Sequence, residues 1–214
     1  MISTWISATL LAIPFVAYFL GSIPFGLILT KLFGGKDVRK TGSGNIGATN
    51  VVRAAGLPAG ILTLILDAAK GAFAVLLAAK LSNDSATWMM IAALAALLGH
   101  CFPVWLKFKG GKGVATAAGV FLVLCPPAFL SAALLFILVV LFWRFVSLGS
   151  IAAAAAMPLL LYFFWAPHHA PPLSVTLGAL AAALLIVYKH NGNLRRLVEG
   201  VEPKFSLSGK KDEE

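Results

Sequence analysis

Charge is scarce in this chain. Only 12% of its 214 residues are Asp, Glu, Lys or Arg, while 60% are hydrophobic and the mean hydropathy is +0.93. Soluble domains run at about 25% charged and about 45–50% apolar residues. A soluble globule of this length would leave large apolar patches exposed. Acidic residues are scarcer still, with 8 Asp and Glu against 17 Lys and Arg, a net charge of +9. The apolar–polar alternation of a membrane β-barrel is missing. What remains is an all-α, polytopic transmembrane helix bundle, because lipid cannot satisfy free backbone groups.

Spanning helices need roughly 20 mostly apolar residues. The first such run covers residues 2–20 and continues less cleanly to about 32, with a bend expected at Pro24. No Lys or Arg precedes Lys31, so the basic opening of a signal peptide is missing and a retained helix is expected. Further runs cover residues 57–79, 86–106, 148–165 and 173–188. The uncharged stretch 114–143 is interrupted by Pro126 and Pro127, which predicts two helices, the first one short. About seven spans follow, or six if 114–125 is re-entrant. Residues 1–205 then form a single membrane-embedded domain, and 206–214 a charged, disordered cytoplasmic tail.

The cations orient this bundle. All Lys and Arg except Lys70 and Lys80 fall in one set of loops, made of residues 31–56, 107–113, 144–147 and the segment from Lys189 onward. That asymmetry predicts an outside N-terminus and a cytoplasmic C-terminus. Cys101 and Cys125 then lie toward opposite membrane faces, too far apart for a disulfide. Lys70 stands inside a span three residues after Asp67, where a mutual ion pair that fixes helix packing is expected. His168 and His169 have no carboxylate or thiol nearby and are taken as loop residues.

Three cytoplasmic segments carry more than orientation. The first offers Ser43, Asn45, Thr49, Asn50 and Arg53 among glycines 42, 44 and 47. Glycines let successive amides turn toward an anion, and an arginine can fork onto phosphate oxygens. Gly42-Ser-Gly44-Asn-Ile-Gly47 matches G-x-G-x-x-G, but no strand precedes it, so a dinucleotide site is excluded. The second segment brackets Lys112 with Gly110, Gly111 and Gly113 just before a helix, the makings of an anion site. Trp105, Lys107, Phe108 and Lys109 have a sufficient role as an interfacial belt. The third holds His190 and Asn193, which share a face if the last helix continues. Arg195 and Arg196 can meet anionic lipid, or pair with Glu199 and Glu202. Phosphate recognition beside an apolar compartment suits either an enzyme joining a phosphate compound to a lipid or a permease for phosphorylated solutes. A permease often shows inverted repeats, and no clear repeat is present. A scaffold gives no reason for the glycine-flanked cations.

The blocks Gly21-Ser-Ile-Pro-Phe-Gly26, Ser43-Gly-Asn-Ile-Gly-Ala-Thr-Asn50, residues 99–116 and His190-Asn-Gly-Asn193 resemble those of the bacterial acyl-phosphate:glycerol-3-phosphate acyltransferases, over nearly the whole chain and in the same order. The resemblance implies transfer of a fatty acyl group from acyl phosphate to the 1-hydroxyl of sn-glycerol 3-phosphate, with lysophosphatidic acid and phosphate as products. It implies seven helices in the bacterial inner membrane and a site facing the cytoplasm. By motif position, Ser43, Arg53, Lys112, His190 and Asn193 match residues that hold glycerol 3-phosphate, with catalytic roles for Ser43, Lys112, His190 and Asn193. Asn45, Thr49, Asn50, Arg53, Gly110, Gly111, Gly113 and, more loosely, Ser150 match substrate-binding positions. The implied partners are the two substrates, membrane lipid and an upstream enzyme that forms acyl phosphate. No cofactor, metal or nucleic acid is expected. The His-x-x-x-x-Asp motif of other glycerol 3-phosphate acyltransferases is absent: Trp105, Leu173, Ser174 and Arg195 stand where the Asp would follow His100, His168, His169 and His190.

Overall fold

The structure, a computed structural model, describes residues 2–35, 37–165 and 170–205, with the backbone alone for residues 2–8. His168, His169 and the 206–214 tail lie outside the described residues.

Ten α-helices are formed among the described residues, and no strand. They are α1 (Ile2–Gly21), α2 (Phe25–Gly34), α3 (Ala48–Ala55), α4 (Leu57–Leu81), α5 (Ala86–Cys101), α6 (Val114–Leu124), α7 (Pro126–Trp143), α8 (Val146–Trp165), α9 (Leu173–Lys189) and α10 (Asn191–Val198). Prolines set several of the breaks. Pro24 lacks an N–H and ends the run from α1 into α2, so the expected bend is a full interruption at residues 22–24. Pro126 and Pro127 open α7, where missing donors cost nothing. Arg144 stops α7 in the left-handed conformation at φ 61°.

Five helical stretches among the described residues are long and apolar enough to cross a bilayer: Thr9–Gly34, Leu57–Leu81, Ala86–Leu106, Pro126–Trp143 and Val146–Trp165. A sixth arises if α9 and α10, bent by 56° at His190, count as one span. The 11-residue α6 is about 16 Å long. It reaches only about half-way through a hydrocarbon core of about 30 Å. The last helix therefore does not continue straight through His190, as face-sharing with Asn193 had required.

Small residues bring these helices close, as is usual where lipid supplies no hydrophobic drive. Gly71 of α4 lies against the Thr116 carbonyl of α6, and Gly119 of α6 against the Ala68 carbonyl of α4. Gly21 and Gly99 do the same between α1 and α5. The main core joins Val75, Leu97, Val120, Leu161, Val175 and Ile186 from α4, α5, α6, α8 and α9. Leucines and phenylalanines such as Leu141, Phe142 and Leu159 point outward, 71–77% exposed, as lipid-facing side chains should. The chain is an integral membrane protein.

Within α4, Lys70 Nζ lies 2.7 Å from Asp67 Oδ1, the ion pair expected from their spacing. Both cysteines are buried and free.

Candidate active site

Four connecting segments meet at one end of the bundle. A small core of Leu27, Val38, Ile46, Val51, Ala59 and Leu106 joins the loop between α2 and α3 to the loop after α5. The segment beyond α10 returns to the α7–α8 turn, where the Phe205 amide donates to the Arg144 carbonyl at 2.6 Å.

Asn50 organises the first loop. It is buried, and its Nδ2 reaches the carbonyls of Val38, Thr41 and Asn45 at 2.8–3.0 Å. Its Oδ1 accepts from the Ser43 amide at 3.1 Å. The side chain thus replaces the backbone pairing that the turn lacks. Ser43, Thr49 and Arg53 stand exposed around it, and Asn45 is half-buried. The Arg53 side chain passes beside Gly42, and no ion-pair partner holds it among the described residues. At the loop's start, a hydrogen bond from the Arg39 guanidinium lowers the Asp37 carboxyl to about 2.

In the second loop, the Gly110 and Gly111 amides donate to the Cys101 and His100 carbonyls at 3.2 and 3.0 Å. Those two donors therefore hold the loop to α5. Gly113 takes φ 85° and caps α6. Lys112, half-buried, projects from this frame and donates from Nζ to Asn193 Oδ1 at 2.5 Å. Burial lowers its ammonium to about 8, opposed by Glu202 and assisted by Arg196, Arg53 and Lys189. Arg53 is thus close enough for its charge to be felt at Lys112.

The third segment supplies the partners. Asn193 is buried, and its Nδ2 donates to Glu202 Oε1 at 2.6 Å. Ser147 Oγ donates to the same oxygen at 2.6 Å, and Arg196 Nε donates to Oε2 at 2.7 Å. Burial works to raise the Glu202 carboxyl. The hydrogen bonds from Ser147, Asn193 and Arg196 outweigh it and hold the group below the usual carboxylate range. Arg195 pairs with Glu199 at 2.7 Å on the exposed face, as expected of a solvated pair.

His190 lies at the break between α9 and α10, buried, with Nδ1 2.8 Å from the Ile186 carbonyl. A carbonyl oxygen only accepts, so Nδ1 carries the proton in this arrangement and Nε2 keeps its lone pair. Burial lowers the imidazole to about 4, and Lys112 adds to the effect. The ring is neutral at physiological pH. Ser150 is buried one turn inside α8, and its hydroxyl donates to the Val146 carbonyl at 2.8 Å.

The arrangement therefore brings Lys112, Asn193 and His190 together, with Arg53 within electrostatic reach. Ser43 stands on the neighbouring loop surface and Thr49 in the first turn of α3, while Ser150 lies one helical turn from Ser147. Glu202 and Ser147 were missed in the sequence. The pairing of Glu202 with an arginine is legible in the sequence and is met by Arg196 at 2.7 Å, but nothing there shows that the segment beyond Gly200 folds back onto Ser147 and Asn193. Among the described residues, no group of three His, Cys, Asp or Glu is arranged to hold a metal ion. The site is a cluster of cationic and amide groups beside an apolar bundle, suited to binding phosphate and orienting a hydroxyl.

Residues 11–200 match the family model described as glycerol-3-phosphate acyltransferase. A glycerol-3-phosphate acyltransferase of Syntrophotalea carbinolica is 52% identical over 189 residues, covering 88% of this chain and 94% of that protein. The fold is also that of an integral membrane glycerol 3-phosphate acyltransferase solved in two forms. Its glycerol 3-phosphate form superposes with a TM-score of 0.84 at 41% identity, covering 92% of this chain and 96% of that one. Its lysophosphatidic acid form gives a TM-score of 0.82 at 39% identity, covering 94% and 97%.

Proposed function

The chain belongs to the glycerol-3-phosphate acyltransferase family, and from that premise we propose that it moves a fatty acyl group from acyl phosphate to the 1-hydroxyl of glycerol 3-phosphate. The products are 1-acyl-glycerol 3-phosphate and inorganic phosphate. The protein works in the bacterial cytoplasmic membrane with its site facing the cytoplasm. The skewed distribution of its 17 cations supports that orientation.

One observation carries the reading. Lys112 Nζ and Asn193 Oδ1 meet across 81 residues of chain, beside a neutral His190 and within the field of Arg53. Lys112 and Arg53 bind the two phosphates and stabilise the negative charge that develops on the acyl carbonyl oxygen. Ser43, Asn45 and Thr49 add hydroxyl and amide groups along the phosphate-binding loop that Asn50 holds. Gly110 and Gly111 let the loop pack tightly on His100 and Pro103, Gly113 turns the chain into α6, and Lys112 projects from that frame toward the substrate, with Ser150 one turn inside α8. The acyl chain lies between helices and enters from the bilayer.

The hydroxyl oxygen attacks the acyl carbonyl carbon, and the carbon–oxygen bond to phosphate breaks. Phosphate is a good leaving group, so positioning is the main task, and orientation is worth about 7–11 kcal/mol. The hydroxyl proton finally resides on a phosphate. A His190 lowered to about 4 holds a proton poorly, although its Nε2 is free to accept a hydrogen bond from the hydroxyl. The substrate's own phosphate, whose second ionisation falls near 6 by analogy with phosphoserine, is the better acceptor.

The test is a purified preparation in detergent, given acyl phosphate and labelled glycerol 3-phosphate. Labelled 1-acyl-glycerol 3-phosphate is the expected product. Labelled product formed with acyl-CoA but not with acyl phosphate would replace the donor. No transfer from either would sink the reading.

A further inference from the structure

The buried group of Asp67, Lys70 and His100 does more than join helices. All three are at most 5% exposed. Lys70 Nζ is held by Asp67 Oδ1 at 2.7 Å and donates to the Ile23 carbonyl at 2.8 Å, at the break between α1 and α2. Those contacts complete a packing pair. His100 is a third member that such a pair does not need: its Nδ1 lies 3.7 Å from Asp67 Oδ1, a charge contact beyond hydrogen-bond reach, and has no hydrogen-bond partner among the described residues.

The opposite edge of that imidazole faces the second loop. A methyl group placed on Gly111 would strike His100 Nε2 before any other atom. The His100 carbonyl accepts from the Gly111 amide at 3.0 Å. Ring and backbone of one residue therefore support the peptide immediately before Lys112. The other end of the group bears on the first loop. α2 begins just after Ile23, and its Gly26 lies against the Ile46 carbonyl, three residues beyond Ser43. One buried cluster thus sits under both phosphate-binding loops.

We propose that Asp67 and His100 are positioning residues: Asp67 orients the His100 ring, and the ring sets the height of the Gly110–Gly113 loop so that Lys112 meets the phosphate of glycerol 3-phosphate. The inference rests on the reading of Lys112 as a ligand of that phosphate. The acyl donor's chain is held by the helices, so loss of the ring weakens glycerol 3-phosphate binding selectively.

The experiment measures kcat, KM for each substrate and Tm in detergent for wild type, His100→Ala, His100→Gln, the charge-balanced pair Asp67→Asn/Lys70→Met, and Lys112→Ala. His100→Ala should raise KM for glycerol 3-phosphate about tenfold and leave KM for acyl phosphate within about twofold. His100→Gln, whose amide reaches the Nε2 position, should recover most of that loss. A mere packing role would lower Tm without splitting the two KM values. Folded His100→Ala with both KM values unchanged overturns the inference, as does an equal rise in both. Should His100→Ala fail to fold, the Asp67→Asn/Lys70→Met protein decides by the same split, since it strands no charge. Normal activity of Lys112→Ala would instead remove the underlying reading of the site.

Discussion

Asn193 stands between Lys112 and Glu202, accepting from the ammonium at 2.5 Å and donating to the carboxylate at 2.6 Å. Its amide separates two opposite charges that would otherwise pair directly. An ammonium consumed by a carboxylate has less attraction left for a substrate phosphate. Asn193→Asp keeps the shape and places a carboxylate on Lys112. The expected result is a rise in KM for glycerol 3-phosphate of about tenfold or more, with a lower Tm, because the second carboxylate oxygen then faces Glu202 Oε1 where the amide had donated. Steady-state kinetics across both substrates checks it. An unchanged KM would show that Lys112 does not meet that phosphate.

The Lys112 ammonium, lowered to about 8 by burial, makes the free enzyme sensitive to mildly alkaline pH. The sign is fixed by the charge. Below about 8 the group is a cation and attracts phosphate; above it the group is neutral and does not. The value of kcat/KM for glycerol 3-phosphate should therefore fall as pH rises through about 8, by up to about tenfold per pH unit. Bound phosphate restores the proton, so kcat at saturation should fall later. Lys112→Arg, permanently charged, should lose this limb even if its rate is lower. A wild-type profile flat to pH 10 would contradict the assignment.

Local chemistry explains what was legible in the sequence. Pro24, Pro126 and Pro127 end or begin helices because they lack a donor, although Pro14 and Pro158 are carried inside α1 and α8. Gly113 before an apolar run marks a helix start for a similarly local reason. The convergence of Lys112 with Asn193 rested on motif resemblance, since nothing near either residue encodes the other. Long-range placement was not legible. Glu202 lies beyond a turn at Gly200, and its partner Ser147 comes from 55 residues earlier in the chain, while Asn193 stands in α10 on the near side of that turn. Motif position makes Asn50 a substrate contact, while its amide is spent on four loop hydrogen bonds that only the folded turn creates. The 56° turn at His190 falls just before Asn191-Gly192-Asn193, residues of low helix propensity that mark a turn but do not fix the direction in which α10 leaves.

Glu202 ties α8, α10 and the returning segment through Ser147, Asn193 and Arg196. Its carboxyl is held below the ordinary value of 4.5, so the folded state binds fewer protons than the unfolded chain near that pH. A depressed carboxylate contributes stability that is present above the unfolded value and is lost as pH falls through the folded one. Thermal unfolding in detergent should show Tm dropping below about pH 4.5. Glu202→Gln should have a lower Tm at neutral pH and a shallower acid dependence. Equal acid dependence in both proteins would assign that lability elsewhere.

The orientation inferred from the cations is open to direct labelling, because the native thiols are silent: Cys101 is 0% and Cys125 6% exposed. Ala170 is exposed just before α9, in the connection that follows α8, and Lys204 is exposed near the returning segment. With the cation-rich loops in the cytoplasm, Ala170 faces outward and Lys204 inward. In intact spheroplasts a membrane-impermeant maleimide should therefore modify Ala170→Cys and leave Lys204→Cys unmodified until the membrane is opened. Ala170→Cys lies away from the Lys112 site and Lys204→Cys leaves Glu202 and its partners in place, so activity is checked on the same samples. The reverse pattern would put the phosphate-binding loops on the outer face, away from cytoplasmic glycerol 3-phosphate, and the proposed activity would lose its substrate.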